Sequence, residues 1–148
     1  MTALRLLAQR RLTAAQLHDR LARRGFADEA VTAAVESCRR DGLVDDRLFA
    51  TLYVAAKRGA VGDARLVAEL VKRGIAREVA RSSVASAEAN EETRASAAYE
   101  KIRRTQPSLS YPSAARKLER LGFPAAVIYR ILRERAGAEL HDVIGDLS

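Results

Sequence analysis

The sequence has one cysteine, no tryptophan and few aromatic residues, and each shortage excludes a class of protein. A single cysteine among 148 residues cannot form a disulfide within the chain, so a reducing cytosol fits best. Aromatic residues make up 5% of the chain, which argues against a surface built for stacking nucleic-acid bases. Because alanine, leucine, arginine and glutamate dominate instead, the composition favours helix over sheet.

The sequence also lacks a continuous apolar run of about 20 residues, the length needed to span a bilayer. Its first residues, MTALRLLAQRRLT, contain neither the long apolar segment nor the small-residue cleavage site of a secretory signal. Hydrophobic residues still make up 48% of the chain, which is too much apolar material for a disordered protein. We therefore expect a cytoplasmic, all-helical protein with no membrane contact.

One sequence pattern occurs three times, and its glycines are spaced by 49 and then 48 residues. The three copies are Leu17-x3-Leu21-x3-Gly25-Phe26, Leu66-x3-Leu70-x3-Gly74-Ile75 and Ala114-x3-Leu118-x3-Gly122-Phe123. The repeat predicts an all-α, elongated tandem array of three three-helix modules, preceded by a short N-terminal helix. The module boundaries follow as 1–60, 61–105 and 106–148. The prediction amounts to about ten helices and no strands.

Local signals place the helix ends within each module. Thr13 and Gln16 have the spacing of a capping box, and Gly25 is a left-handed stop. The second helix is expected over 28–40, and Asp45 and Asn90 are candidate N-caps. Two later apolar stripes are expected to face the core. They consist of Leu48, Phe49, Leu52, Tyr53 and Ala56, and of Leu140, Val143, Ile144 and Leu147 in a final helix after Gly137.

No group of residues assembles a catalytic, metal or cofactor site. His18 and His141 lie in different modules, and neither has a cysteine or carboxylate at metal-ligand spacing. Cys38 falls on a core position, where it is expected to act as a small buried hydrophobe. The acidic pair at 45–46 is typical of a helix start, and Gly59-x-x-Gly62 is a hinge rather than a phosphate loop, since no strand precedes it.

Positive charge is concentrated towards the two ends of the chain. Residues 1–24 carry +5 and residues 101–135 carry +7, whereas 25–100 carry −2 and 136–148 carry −3. The bland interpretation is a set of ordinary solvated arginines, but a basic flank that returns every 48 or 49 residues suits a long, acidic, repetitive partner. The candidate contact residues are basic side chains of these ends, flanks and connections: Arg10, Arg11, Arg20, Arg23, Lys57, Arg58, Arg65, Lys72, Arg103, Arg104, Arg116, Lys117 and Arg120.

Three segments carry a resemblance to a known family. Residues 42–50 read GLVDDRLFA, residues 65–75 read RLVAELVKRGI and residues 116–123 read RKLERLGF. Together they resemble the RecX family, bacterial regulators of the RecA recombinase, over nearly the whole chain. The resemblance implies a helical array that lodges in the groove of a RecA filament on single-stranded DNA. It also implies modulation, usually inhibition, of ATP hydrolysis, strand exchange and the coprotease function that triggers the SOS response, and hence a role in homologous recombination and DNA repair.

The sequence leaves two other functions open. The first is a plain DNA-binding protein, because three-helix modules with basic flanks resemble helix-turn-helix units that bind single- or double-stranded DNA directly. The second is an enzyme, for which no supporting constellation is present. The apolar stripes look fully used within the modules, which favours a monomer that regulates by binding and needs no cofactor or metal.

Overall fold

The computed structural model describes residues 2–57, 61–87 and 90–146, and within these ranges the chain forms nine α-helices and no strand. The all-α prediction is therefore confirmed. The helices are α1 (Thr2–Gln9), α2 (Ala14–Arg23), α3 (Asp28–Arg40), α4 (Asp46–Lys57), α5 (Asp63–Lys72), α6 (Arg77–Ala85), α7 (Glu91–Thr105), α8 (Tyr111–Arg120) and α9 (Ala125–Asp146). None of these helices is long and apolar enough to cross a membrane.

The predicted caps form as the sequence indicates. The amide of Gln16 donates to Thr13 Oγ1 at 3.1 Å, and the amide of Thr13 donates to Gln16 Oε1 at 3.0 Å, which completes a capping box. Asp45 accepts from the amide of Leu48 at 3.0 Å, and Asn90 accepts from that of Thr93 at 2.8 Å. Each cap satisfies backbone N–H groups that the first helical turn leaves without partners.

The repeat is built from one backbone turn made three times. Gly25, Gly74 and Gly122 follow α2, α5 and α8, and their φ angles are +89°, +90° and +92°. Only glycine adopts this left-handed conformation without strain, so the three glycines of the sequence pattern end three equivalent helices.

The chain divides into two compact units. The first comprises Met1–Ala56 with Val67–Ala87, and the second comprises Lys57–Leu66 with Glu88–Ser148. The first unit contains a core in which α1, α2 and α3 bury Leu6, Leu17 and Val31. The second contains one in which α7, α8 and α9 bury Tyr99 and Leu118, among others. The division at residues 60 and 105 stays a prediction.

Arg94 is a buried charge in the second unit, with 2% of its surface exposed. Its Nη1 donates to the carbonyl of Val61 at 3.0 Å, and its Nη2 pairs with the carboxylate of Asp63. The amide of Asp63 in turn donates to Glu91 Oε1 at 3.0 Å. α7 therefore fixes the start of α5 through charge-assisted hydrogen bonds, because a buried guanidinium must be paired.

The expected break at Gly137 is wrong, so the described residues form nine helices where about ten were expected. α9 runs without interruption from Ala125 to Asp146, and Gly137 lies inside it. A glycine within a helix costs only about 1 kcal/mol relative to alanine. The flanking arginine, glutamate, alanine and leucine residues favour helix, and no proline or left-handed turn stops the chain here.

The core face of α4 also differs from the expected stripe. Its buried residues are Ala50 and Val54, whereas Leu48 and Leu52 are exposed to 41% and 45%. The carboxylate of Asp46, on the same face as Ala50, accepts from the amide of Ala14 at 2.9 Å. This bond to α2 sets the rotation of α4 and brings the small side chains inward.

The final apolar stripe does not enter the core of the described structure. Leu140, Val143 and Ile144 are exposed to 62%, 58% and 55%, and Leu147 lies outside the described residues. The expectation that every apolar stripe is used within its module is therefore wrong for the end of α9.

Candidate interaction surfaces

The first unit carries a basic groove at the end of α2, which we call the first basic surface. It is formed by Arg20, Arg23 and Arg24, with Asp19 and the floor residue Leu6. Arg23 pairs with Asp19 at 3.1 Å, but their side chains are 78% and 58% exposed. An exposed i,i+4 pair of this kind contributes less than about 1 kcal/mol, so both side chains can exchange partners readily.

Helix chemistry explains why arginines end α2. Arg20 and Arg23 lie in its last turn, where unpaired carbonyls concentrate negative partial charge. This stabilisation accounts for their presence without any partner. It does not use up their hydrogen-bond donors, and both residues line the groove.

The remaining candidates of the first unit are exposed but do not line this groove. Arg10 and Arg11 follow α1, and Arg11 lines a different groove with Leu7 and Leu43. Lys72 is exposed in the last turn of α5. The structure therefore does not bring all the basic residues of this unit to one place.

An acidic residue replaces the basic flank in the middle repeat for a structural reason. Glu69, which lies 49 residues after Arg20, accepts a hydrogen bond from the Tyr53 hydroxyl at 2.6 Å. The guanidinium of Arg73 lies 4.5 Å from the centre of the Tyr53 ring. Glu69 thus ties α5 to α4, and a cation at this position would lose that bond.

The second unit carries another basic cluster, which we call the second basic surface and which consists of Arg65, Arg116, Lys117 and Arg120. Arg65 Nη1 donates to the carbonyl of Arg120 at 3.2 Å, so the start of α5 lies against the end of α8. Arg120 Nε lies 3.4 Å from the carbonyl of Arg116, one turn earlier. These contacts gather four cations around the last turns of α8.

Two members of the second basic surface also hold local contacts. Arg116 Nη2 donates to Ser113 Oγ at 3.1 Å, and Lys117 Nζ donates to Gln106 Oε1 at 2.7 Å. Both contacts are exposed hydrogen bonds to neutral acceptors. Because such bonds are readily exchanged for water or for a partner's phosphate or carboxylate, they leave the charges available.

Arg103 has a different role from its predicted neighbours. Its Nε donates to the Tyr99 hydroxyl at 2.7 Å, and its Nη1 donates to the carbonyl of Leu109 at 2.7 Å. The guanidinium also lies 4.9 Å from the centre of the Tyr111 ring. The hydrogen bond with Tyr99 is the main cause that raises the pKa of Arg103. Arg103 therefore holds the connection between α7 and α8, which occupies the donors a partner would need.

Two further candidates belong to neither basic surface. Arg104 is exposed in the last turn of α7, and Lys57 is exposed at the end of α4. Arg58 lies outside the described residues.

Sequence reasoning missed two cations that the structure adds to these surfaces. Arg24 completes the first basic surface, and Arg133 of α9 lines a groove with Arg116 of α8 and the exposed ring of Tyr129. Arg24 lies outside the flank positions 20 and 23 that the repeat spacing identifies. Arg133 has no counterpart in a flank of the repeat, so only the packing of α8 against α9 shows its position.

Tyr111 gives a measurable signature of the polar network beside the second basic surface. Its hydroxyl donates to Glu139 Oε2 at 2.5 Å, and this bond is the main cause that raises the pKa of Tyr111 to about 12. The unfolded chain loses this proton near pH 10, so the stabilisation is complete below pH 10 and is lost as the pH rises towards 12. We expect absorbance titration, with Tyr111→Phe as the reference, to give a midpoint of about 12.

The matched variant is Glu139→Gln, which retains the shape of the acceptor but removes its charge. We expect the pKa of Tyr111 to fall towards the ordinary tyrosine value in this variant, with a smaller loss of unfolding free energy above pH 10. An unchanged midpoint would show that Glu139 does not hold the proton.

Within the described ranges, no three histidine, cysteine, aspartate or glutamate side chains are grouped as metal ligands are. Cys38 is buried with 6% of its surface exposed, as its core position predicts. Burial raises the pKa of its thiol, and Asp41 adds to this effect, so the reactive thiolate is disfavoured.

Comparison with known proteins gives consistent matches over sequence and fold. A family model described as "RecX, first three-helix domain" matches residues 2–38, which cover α1, α2 and most of α3. The regulatory protein RecX of Thermobifida fusca (strain YX) is 35% identical over 144 residues, covering 92% of this chain and 77% of the relative. That of Syntrophotalea carbinolica is 31% identical over 144 residues, covering 90% of this chain and 93% of the relative.

A solved structure has the same fold. The crystal structure of RecX from Lactobacillus salivarius superposes with a TM-score of 0.78 at 18% sequence identity. The superposition covers 90% of this chain and 91% of that one.

Proposed function

The chain belongs to the RecX family of regulatory proteins, and we propose that it binds the RecA filament on single-stranded DNA and lowers its activity. The proposal includes inhibition of ATP hydrolysis, strand exchange and the coprotease function that leads to the SOS response. The observation that carries it is the pair of basic surfaces, combined with family membership. Each surface lies at the end of the first helix of a repeat, at positions 20 and 23 and again at 117 and 120.

The partner we propose is chemically suited to these surfaces. A nucleoprotein filament presents phosphates and acidic side chains at regular intervals along its axis. The guanidinium groups of Arg20, Arg23 and Arg120 can bind both kinds of group through two parallel hydrogen bonds, which a lone point charge cannot do. Binding of this kind needs no chemistry at the surface, so the proposed action is regulatory and not enzymatic. We place it in the cytoplasm, where RecA acts.

The proposal is tested by titrating the chain into RecA that is hydrolysing ATP on single-stranded DNA. We expect the rate of hydrolysis to fall as the chain is added, and the chain to sediment with the filament. Sedimentation without DNA and nucleotide is expected to be much weaker, because the filament is then absent. An unchanged rate of hydrolysis together with no co-sedimentation would reject the proposal.

A second candidate function is direct DNA binding, which the exposed arginines of both basic surfaces also favour. The discriminating measurement is the affinity for naked DNA as a function of salt. A DNA-binding protein that neutralises several phosphates loses affinity steeply, since each contact releases a counterion. Tight, steeply salt-dependent binding that RecA does not change would favour this function over filament regulation.

A further inference from the structure

A hydrogen bond to a backbone carbonyl joins successive repeats inside each unit. In the first unit, Thr13 Oγ1 donates to the carbonyl of Arg73 at 2.7 Å. In the second, the amide of Gly62 donates to the carbonyl of Leu121 at 2.7 Å. Thr13 and Gly62 each directly precede the first helix of one repeat. Arg73 and Leu121 each directly precede the left-handed glycine of the next repeat. We call this contact the repeat joint.

Both repeat joints are packed so closely that they need glycine. A Cβ added to Gly74 would lie 2.2 Å from the Cβ of Ala15, and one added to Gly122 would lie 2.4 Å from the Cβ of Arg65. The left-handed glycine of one repeat is thus seated on the first helical turn of the preceding repeat. The same contact occurs twice, so it is a property of the repeat rather than of one local sequence.

Two surfaces of the repeat-joint type have no counterpart to pair with in the described residues. They are the Gly25 turn of the first repeat and the Ser110 end of the third repeat. The repeat spacing makes Gly25 the equivalent of Gly74, but a Cβ added to Gly25 would meet nothing within 4 Å. The same spacing makes Ser110 the equivalent of Thr13, and Ser110 is exposed. Its hydroxyl donates to Ser113 Oγ at 3.0 Å, a local contact that leaves it facing solvent.

Apolar surface is uncovered beside one of these ends. Phe26 follows Gly25 and is 46% exposed, whereas the equivalent Ile75 and Phe123 are 2% and 3% exposed. An exposed aromatic ring at a position that is buried in the other two repeats marks a surface that another molecule can cover.

We propose that a second copy of this chain covers it, so that copies associate head to tail through a third repeat joint. Ser110 of one copy then donates its hydroxyl to the carbonyl of Arg24 in the next, as Thr13 does to Arg73 within the chain. The occupant is a second copy because the other end of the same repeat carries the surface that pairs with this one within the chain. The two faces differ, so the contact is heterologous and can be repeated from copy to copy.

The association is weaker than the repeat joints within the chain. Beside each internal joint, the first helical amide also donates to a carboxylate on the helix that leads into the next repeat: Ala14 to Asp46 of α4 at 2.9 Å, and Asp63 to Glu91 of α7 at 3.0 Å. The equivalent helix of a second copy is α1, which has no acidic residue in its first turn. We expect a dissociation constant of roughly 10 µM to 1 mM, as for small transient interfaces. At protein concentrations below the dissociation constant, the chain should be monomeric.

Sedimentation velocity of the purified chain over a range of concentrations tests this directly, without RecA or DNA, so its failure is separate from failure of the proposed function. We expect the average sedimentation coefficient to rise with concentration for the wild-type chain.

Ser110→Asp retains an N-cap but replaces the donor with a carboxylate that repels the Arg24 carbonyl, so its coefficient should stay constant. Ser110→Thr reproduces Thr13 and should associate like the wild type. Equal behaviour of Ser110→Asp and wild type, or no association of wild type up to about 1 mM, overturns the proposal.

Cross-linking identifies the surfaces in contact. In a Cys38→Ala background, one population carries Arg24→Cys and another carries Pro112→Cys, which lies on the first turn of α8. A short bis-maleimide should link the mixture into heterodimers and leave each population alone unlinked. The control mixture of Pro112→Cys with Ala33→Cys, an exposed site on α3, should stay at background. Equal yields in both mixtures, or dimers within one population, contradict a head-to-tail joint.

Discussion

Replacing Gly122 with alanine should lower the free energy of unfolding of the second unit by about 3 kcal/mol or more. The left-handed φ of +92° costs an L-residue about 1–2 kcal/mol. The new Cβ would also lie 2.4 Å from the Cβ of Arg65 and 2.8 Å from its backbone nitrogen. The start of α5 must then move, and overpacking of this kind costs about 1–3 kcal/mol. Urea denaturation followed by helical circular dichroism measures the loss.

The repeat supplies matched controls for this prediction. Gly25→Ala has the same φ strain with open space around the new Cβ, so it should cost only about 1–2 kcal/mol. Gly74→Ala adds a clash with the Cβ of Ala15 and should resemble Gly122→Ala. Three equal losses would mean that the backbone strain alone sets the cost and that the repeat joints are loosely packed.

The features that the sequence predicted correctly are local. The capping box of Thr13, the caps at Asp45 and Asn90, and the stop at Gly25 each depend on residues within four positions of one another. Local hydrogen bonds and backbone preferences decide such features, so the sequence near them is sufficient. The threefold glycine spacing extended this local information to the whole chain.

The core face of α4 and the burial of Arg94, which it missed, depend on contacts between distant residues. In α4, two apolar faces compete, and the one with Leu48 and Leu52 looks the stronger by hydrophobicity. The bond from Ala14 to Asp46, 32 positions away, selects the other face. Arg94 looks like any surface arginine of a helix until the packing of α7 against the start of α5 buries it.

The same distinction separates the candidate contact residues. Arg23 and Arg103 look alike in sequence, since each is an arginine in the last turn of a helix. Arg103 lies within reach of two tyrosine rings and the carbonyl of Leu109, whereas Arg23 pairs, among the described residues, with the exposed Asp19 of its own helix. Charge position along the chain can therefore indicate where a basic surface lies, but packing decides which of its side chains remain available.

Replacing Arg20, Arg23, Lys117 and Arg120 together with glutamate should abolish inhibition of RecA. Each reversal changes the charge by −2, so four take the net charge from +7 to −1. We expect binding to the filament to weaken at least 100-fold, since the acidic partner then meets carboxylates at both basic surfaces. Titration of ATP hydrolysis on single-stranded DNA measures the loss, and circular dichroism checks that the helices remain.

A control with the same net charge separates the surfaces from charge in general. Arg40, Arg47, Arg77 and Arg81 are also exposed, and none belongs to either basic surface. Their combined replacement by glutamate gives the same change of −8, so a long-range field alone would weaken inhibition equally in both variants. If direct contacts at the basic surfaces carry binding, the control should retain most of its inhibition, because its reversed charges lie outside those contacts and salt screens charges beyond about 8–10 Å. Equal loss in both variants would assign the effect to net charge and remove these four residues from the proposed contact surface.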